Sequence, residues 1–448
     1  MNASPFDIGL YRQHLHHLQG EWEAALEALG ADVAVLPSGI AAMYFQDDQA
    51  PPFHPNPHFA RWLPGRDCEG SVLVVRPGAP AKLHFLGGDD YWHMPPTLPE
   101  WAADNLDVAR HTDADDLASA ISTELAGCKR PVLAGPADAL DLNLRPHDVN
   151  PKEFTARLHY ARAYKTDFEL DRMRAASAAG AAGHIAARDA FLGGGSEFEI
   201  QLAFLAGSSQ VTSELPYPSI VALGEHAGIL HYQHYDRGRP NDTRSFLIDA
   251  GARADGYHSD ITRTYTATPG DDFDELVQAL DEKQQAMVAQ VRPGMTYVDL
   301  HVRMHQEVAD LLVRFDFVRC SAEAAFDLKL TDAFFPHGLG HLLGLQTHDV
   351  GGQFGAPDGT VTEPPERFPS LRLTRNIEPG QVFTVEPGLY FIPMLLDAIE
   401  ERDAVNWVKV ESFMRCGGIR IEDNVAVEAD GVENLTRPAF AALEEAAS

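Results

Sequence analysis

The sequence predicts two domains: an α/β domain over residues 1–160, then an α+β domain over residues 161–448 in which helices cover a mostly antiparallel sheet. Three observations lead there. The first third alternates helical and strand-like apolar patterns. The character changes near residues 162–166, where capping boxes at Thr166–Glu169 and Ser196–Glu199 each start a helix. The remainder is rich in strand patterns, interrupted by amphipathic helices.

Leu10–Leu29 has apolar residues at helical spacing and stops at Gly30, a helix-ending residue. On that helix His14, His16 and His17 are expected at the surface. Asp32–Leu36 reads as a strand. Ser71–Val75 and Lys82–Leu86 flank Pro-Gly-Ala-Pro and read as a hairpin. Pro131–Leu133 opens another strand before Gly135-Pro136. The Ala-rich helix after Thr166 runs to Phe191 and ends at three glycines. Ile220–Leu223 and Gly228–Tyr232 read as strands. Ser245–Ala250 and Tyr257–Tyr265 read as a hairpin turning at Asp255-Gly256. Phe273–Val291 and Tyr297–Phe315 read as amphipathic helices, and Val382–Glu386 and Gly418–Val427 as strands.

With 45% hydrophobic and 23% charged residues among 448, the chain is of ordinary globular composition. Its 66 acids against 35 bases leave −31, which argues against nucleic acid or an anionic membrane as partner. Most of that charge reads as solvated surface; the rest could gather around cations. Four scattered cysteines without a C-x-x-C pair argue against a disulfide framework or a thiolate zinc site. They fit a reducing compartment. No secretory pattern opens the sequence and no apolar run reaches about 18 residues, so a soluble cytoplasmic protein is expected.

Chemistry-bearing residues fall into three groups. Asp249 ends an apolar strand, where a carboxylate needs a cation or donors. A two-residue turn at Asp255-Gly256 sets 249 opposite 262 and 260 opposite 251. Asp249 and Asp260 then share a face as diagonal neighbours, about 7 Å apart or somewhat less. They could share a metal pair, cap loops, or meet Arg253 and Arg263. In the second group, Thr384-Val-Glu386-Pro-Gly and Gly417-Gly-Ile-Arg420-Ile-Glu422-Asp-Asn place glutamates beside glycines. Arg420 and Glu422 share a face. A surface ladder would do the same, but the flanking Ile419, Ile421, Val425 and Val427 point to a buried sheet. Third, His337 and His341 have zincin-like spacing, yet Gly338 replaces the glutamate and the glycines oppose a helix, so a zinc-protease helix is rejected. His348 follows in His-Asp-Val-Gly-Gly, and His231 ends Gly-Ile-Leu-His. Histidines in such Gly-rich stretches read as functional.

Together, Asp249, Asp260, His341, Glu386 and Glu422, in that order, resemble the dinuclear metal site of the pita-bread metallopeptidases, a family that includes methionine aminopeptidase, aminopeptidase P and prolidase. The strings Phe-Phe-Pro-His-Gly-Leu-Gly-His, His-Asp-Val-Gly-Gly, Thr-Val-Glu-Pro-Gly-Leu-Tyr-Phe and Gly-Gly-Ile-Arg-Ile-Glu-Asp-Asn resemble those of the prolidases, or Xaa-Pro dipeptidases. Phe45-Gln-Asp-Asp48 and Trp62-Leu-Pro resemble the long bacterial prolidases, which are close to organophosphorus acid anhydrolases. The resemblance covers nearly the whole chain.

It implies a pita-bread catalytic domain and hydrolysis of dipeptides with C-terminal proline by a metal-bridged hydroxide. Four carboxylates sum to −4, which two divalent cations balance. Oxygen ligands with one imidazole favour Mn²⁺, with Co²⁺ or Fe²⁺ possible. By resemblance, Asp249, Asp260 and Glu422 include the bridging ligands, while His341 and Glu386 complete the set. Glu386 is the expected general base. His337 and His348 are expected to hydrogen-bond the substrate carbonyl and the developing oxyanion. His231, Arg372 and Arg420 would orient the dipeptide, and Tyr217, Tyr297 and Leu371 would line pockets. A homodimer is expected, with Asp48 reaching the partner's site. The alternatives are phosphotriester hydrolysis, an aminopeptidase P acting on longer peptides, and a non-catalytic pita-bread binding protein, the last disfavoured because all five ligands are present.

Overall fold

A computed structural model of the chain describes residues 6–447 apart from 66, 90, 141 and 143. Two compact units emerge: Met1–Arg162 with Thr166–Glu169 and Ala356–Thr360, and Ala163–Lys165 with Leu170–Gly355 and Val361–Ser448.

In the first unit the Ile8–Leu29 helix starts at Asp7, whose carboxylate accepts from the N–H groups of Gly9 and Leu10. It ends at Gly30, in the left-handed region at φ 69°. Tyr11, Leu15, Leu18, Trp22 and Leu26 form its buried stripe. Strands β1 (Val33–Pro37), β2 (Val72–Arg76), β3 (Ala79–Leu86), β4 (Asp107–His111) and β5 (Pro131–Leu133) make one sheet, ordered β4-β3-β2-β1-β5. β2 runs antiparallel to β1 and β3, whereas β4 is parallel to β3 and β5 to β1. The Ala114–Leu125 helix buries Leu117 and Ile121 against Val35 and Val72.

His14 departs from its expected surface position. It lies on the buried stripe, 1% exposed, with Nδ1 2.8 Å from Thr166 Oγ1 and Nε2 2.8 Å from the Arg61 carbonyl oxygen. His16 and His17 are exposed. Two hydrogen-bond partners make a buried neutral imidazole tolerable.

In the second unit the Ser196–Glu199 capping box forms with both reciprocal bonds and starts the Glu197–Ser208 helix. β6 (Ile220–Leu223), β7 (Ser245–Asp249) and β10 (Thr262–Thr266) form an antiparallel sheet ordered β10-β7-β6; the small ribbon of β8 (Arg253–Ala254) and β9 (Tyr257–His258) lies between β7 and β10 in sequence. Asp255 and Gly256 both take positive φ, 49° and 90°, as the tight primed turn requires. That turn fixes the register, and Thr262 pairs with Asp249.

Two further strands differ from expectation. Gly228–Tyr232 is not a strand: a 3₁₀ turn covers Gly224–Gly228, and the Tyr232 N–H then donates to the Ile229 carbonyl oxygen at 3.1 Å. Ile229 is 53% exposed, so this short apolar run has no sheet face to join. Gly418–Val427 is two strands. After β11 (Val382–Val385) and β12 (Gly388–Tyr390), β13 (Gly418–Arg420) pairs with β12, whereas β14 (Asp423–Glu428) pairs with β11 and with β15 (Gly431–Asn434). The chain changes partner at Ile421–Glu422. The helices Asp272–Val288 and Tyr297–Arg314 cover these strands, burying Leu276, Leu280, Leu300 and Met304 with Phe383, Val385 and Val425. No helix among the described residues is long and apolar enough to cross a membrane.

Burial pushes the His14 imidazole down to about 4. Unfolding frees it to take up a proton at its ordinary value near 6.5. This contribution is therefore full above about pH 6.5 and fades as pH falls toward 4. At pH 5 the loss is about 2 kcal/mol by linkage. His14→Gln should reduce the drop in stability between pH 7 and pH 5 by that amount in denaturant melts; an unchanged drop would assign it to other groups.

Candidate metal centre

The small sheets of the second unit meet where five side chains converge. Asp249 ends β7 and Asp260 lies just before β10. Glu386 follows β11, and Glu422 sits at the change of partner between β13 and β14. His341 comes from the Gly-rich segment alongside β11, where Leu342 bridges to Phe383.

Backbone bonds set these positions. Thr384 N–H donates to His341 O at 3.0 Å, and Glu386 N–H donates to Leu339 O at 2.8 Å. A Cβ on residue 340 would collide with the Thr384 carbonyl oxygen and the Tyr297 hydroxyl, so glycine is needed for that approach. Glu422 N–H donates to Thr262 O at 3.0 Å, and Thr262 Oγ1 donates to Glu422 Oε2 at 2.7 Å. Asp260 N–H donates to Asn424 Oδ1 at 2.9 Å.

The side-chain geometry is tight. His341 Nε2 lies 3.4 Å from Asp260 Oδ2 and 3.5 Å from Glu386 Oε1. Donor atoms of Asp260, His341 and Glu422 all lie within 4.8 Å of one another. The Tyr217 hydroxyl touches Oδ1 of both Asp249 (2.8 Å) and Asp260. Arg420 Nη2 donates to Asp249 Oδ2 at 2.7 Å. Burial pushes the Glu386 carboxyl up to about 7, and burial with neighbouring carboxylates holds Glu422 well above the usual range. Burial also raises Asp249, against the pull of Arg420. For Asp260 the contacts with His341 and Tyr217 outweigh burial and hold it low.

These residues fit divalent cations. His341 Nδ1–H donates to the Leu342 carbonyl oxygen at 3.0 Å, which aims Nε2 between two carboxylates that favour positive charge there, whether from a proton or a cation. Glu422 Oε1 is buried without a hydrogen-bond partner. An imidazole nitrogen facing carboxylate oxygens, beside an orphaned carboxylate oxygen, is the donor set a cation satisfies.

A cleft of about 200 Å³ opens on the five residues, with His231, His337, His348, Arg372 and Arg420 also along it. His348 is exposed, its ring 4.5 Å from that of His341, and it has no hydrogen-bond partner among the described residues. Desolvation of its inner edge in the cleft, with His341 and Arg372 nearby, pushes it down to about 4, so it is neutral at neutral pH. Arg372 is exposed and has no ion-pair partner among the described residues.

Other expected residues sit differently. His337 has both ring nitrogens engaged: Nδ1–H donates to Gly338 O, so Nε2 accepts from the Tyr390 hydroxyl, each at 2.9 Å. Arg420 is committed to Asp249 and to the Tyr390 hydroxyl rather than left open to a ligand. Tyr297 and Leu371 are core residues instead of cleft walls, and Tyr297 OH donates to Thr384 O at 2.6 Å beneath the Glu386 strand. Asp48 is exposed in a loop of the first unit. Thr262, Tyr390, Asn424 and Ser370 were missed. Thr262 was within reach of the sequence, since the hairpin register sets it opposite Asp249. Tyr390 lay inside a quoted motif, but nothing local marks its contacts with Arg420 and His337.

Residues 171–429 match metallopeptidase family M24, and residues 9–160 match the N-terminal domain of Xaa-Pro dipeptidase. The chain belongs to metallopeptidase family M24. Among M24 relatives, the Xaa-Pro dipeptidase of Pseudoalteromonas translucida (strain TAC 125) is 43% identical over 436 residues, 96% of this chain and 98% of that protein. That of Stenotrophomonas maltophilia (strain K279a) is 43% identical over 437 residues, 97% and 98%. The low-pH form of Escherichia coli aminopeptidase P superposes with a TM-score of 0.75 at 24% identity, covering 99% of each chain. A Pseudomonas aeruginosa aminopeptidase gives 0.72 at 23%, covering 98% and 99%. At such identity the likeness is one of fold: the pita-bread catalytic domain of M24 behind an N-terminal α/β domain.

Stripping divalent cations from this M24 chain leaves its carboxylates mutually repelling. Chelation should lower the thermal midpoint, and Mn²⁺ should restore it. Glu422→Gln should make the chelated protein more stable than the chelated parent, by about 1 kcal/mol or more, the equivalent of one pKa unit. It should also shrink the rise on adding Mn²⁺. A chelated variant less stable than its parent would mean that carboxylate repulsion is not the controlling strain.

Proposed function

We propose that this chain hydrolyses Xaa-Pro dipeptides at the carboxylate-lined cleft. The observation that carries the reading is the set of four carboxylates and one oriented imidazole in an M24 chain whose curated relatives are Xaa-Pro dipeptidases. Asp249, Asp260, His341, Glu386 and Glu422 would hold two divalent cations, Mn²⁺ by preference, with Co²⁺ or Fe²⁺ as substitutes. When bound, such a pair supplies a water of lowered pKa and polarises the scissile carbonyl.

This chain's own residues do the rest. Glu386 accepts the proton of the attacking water at Oε2, because Oε1 is already held by Thr384 Oγ1 at 3.3 Å. His348 is neutral and open to the cleft, so its ring N–H donates to the developing oxyanion. His337 acts through Tyr390, holding that hydroxyl against Arg420, which in turn fixes Asp249. Arg372, unpaired at the cleft, receives the dipeptide carboxylate with His231 beside it. The bond before proline has no N–H, so recognition relies on the two ends of the dipeptide.

Two finer points belong to the same proposal. The four cysteines are free, which suits the cytoplasm. The chain works as a homodimer in which the loop bearing Asp48 reaches the partner's cleft and meets the substrate amine. A monomer by light scattering at assay concentration, or an unchanged KM for Ala-Pro in Asp48→Ala, would reject it.

The deciding assay offers Ala-Pro, Ala-Pro-Ala and a phosphotriester to the Mn²⁺-loaded protein. Lengthening the peptide moves its carboxylate about 3.3–3.6 Å along an extended chain and breaks the Arg372 contact. Ala-Pro should be cleaved fastest, and Arg372→Ala should slow Ala-Pro more than Ala-Pro-amide. Equal rates on Ala-Pro and Ala-Pro-Ala would favour an aminopeptidase, and a faster phosphotriester would favour an organophosphorus hydrolase.

Glu386→Gln should lower kcat by roughly 10²–10⁴-fold. Metal content, expected near two ions per parent chain, is measured on the same samples. Near-normal turnover in a fully metallated variant would remove Glu386 as the base.

A further inference from the structure

The first unit holds a second ordered row of titratable groups, remote in sequence from every residue of the cleft. His84 lies on β3 and His111 on β4, and their rings stack at 5.2 Å with a 15° tilt. His84 is 1% and His111 7% exposed. In the parallel register His84 pairs with Ala109 and Leu86 with His111, so the two imidazoles stand on one face of the sheet, two residues out of step. Three contacts link them into a chain. His84 Nε2 lies 3.0 Å from Glu124 Oε2, His84 Nδ1 lies 3.0 Å from His111 Nε2, and His111 Nδ1 lies 2.7 Å from Asp116 Oδ2. Both carboxylates belong to the Ala114–Leu125 helix.

Counting protons along this chain gives an unambiguous result. Ionised carboxylates only accept, so each outer contact uses one ring N–H. A neutral imidazole has one N–H. With both rings neutral, His84 Nδ1 and His111 Nε2 would be two bare lone pairs facing each other at hydrogen-bond distance. One additional proton turns that repulsion into an N–H···N bond. A metal ion fits less well: two nitrogens about 2.0–2.1 Å from one tetrahedral Zn²⁺ stand roughly 3.3 Å or more apart, and structural zinc takes four ligands.

We propose that His84 and His111 share a single proton, forming an imidazole–imidazolium pair that clips β3, β4 and the Ala114–Leu125 helix together and lets go as pH rises. The charged groups around it are Glu124 and Asp116 from the helix, Lys82 from β3 and Arg76 from β2. Lys82 Nζ is 3.2 Å and Arg76 Nε 3.7 Å from the Glu124 carboxylate. Arg110, on β4, turns away over the Phe85 ring. Burial disfavours charge on His84, so the proton resides on His111 Nε2, between His84 and the more exposed Asp116. β4 is an edge strand of the sheet, paired with β3 alone, so releasing the clip loosens a strand held on one side only.

The clip stabilises the fold only while the shared proton is held, so stability is lost as rising pH removes that proton. This is opposite in sign to the His14 effect.

Proton-detected nitrogen NMR of histidine-labelled full-length protein tests the proposal directly. At pH 7 one ring, lost from the spectrum in His111→Gln, should carry protons on both nitrogens. In thermal melts from pH 6 to pH 9 the folded-to-unfolded ratio of the parent should fall relative to that of His111→Gln. Two neutral rings at pH 7 in the parent overturn the proposal, even if the variant does not fold. So does a Zn²⁺ titration at pH 8 in which the parent takes up one more equivalent than His84→Gln, because a metal would then fill the gap.

Discussion

Four carboxylates packed into one cleft repel one another, and burial makes each of them harder to ionise. Asp249, Asp260, Glu386 and Glu422 come from the ends of separate strands of the second unit or from just beside them, and the fold must hold them together against that repulsion. It does so with backbone bonds rather than with counter-charge. Thr262, Thr384, Leu339 and Asn424 each fix a ligand-bearing segment through a main-chain contact. Among the described residues Arg420 is the one guanidinium bonded to these carboxylate groups, and it contacts Asp249 alone of the four. The remaining negative charge is left for cations, so affinity for metal and strain without metal share one cause.

The same physics appears with the opposite charge balance in the first unit. There, His14, His84 and His111 are buried with both ring nitrogens in hydrogen-bond contact. His14 stays neutral because burial outweighs the pull of Glu169, and an Arg carbonyl and a Thr hydroxyl satisfy its ring nitrogens. His84 and His111 face carboxylates at both outer ends, which is the basis for the shared proton proposed above.

Much of this was legible in the sequence where local rules operate. The Asp255-Gly256 turn allows one tight hairpin register, and that register puts Asp249 and Asp260 on one face. Gly30, Asp255-Gly256 and the Ser196–Glu199 box ended or started elements as their chemistry requires. Legibility fell where long-range pairing decides. Glu386 and Glu422 were recognised by resemblance, because no local pattern brings β11 and β14 beside the hairpin. Gly228–Tyr232 had a strand's apolar content but no neighbouring strand. His14 was assigned to the surface because histidine was counted as polar, although its spacing from Tyr11 and Leu18 fits the buried stripe. The commitments of His337 and Arg420 to Tyr390 depend on side-chain contacts that no linear motif encodes.

The change of partner at Ile421–Glu422 bears on how such chains can vary in length. β13 is held in register by β12, and β14 by β11 and β15, so the two residues between them are fixed at both ends. Adding or deleting one residue there would reverse the facing of everything beyond it, turning Glu422 or its neighbours out of the cleft. Length differences between related chains must therefore collect elsewhere, as in the 391–417 stretch that joins β12 to β13 through short helices. The kink acts as a fixed ruler mark from which the spacing of the surrounding segments is measured.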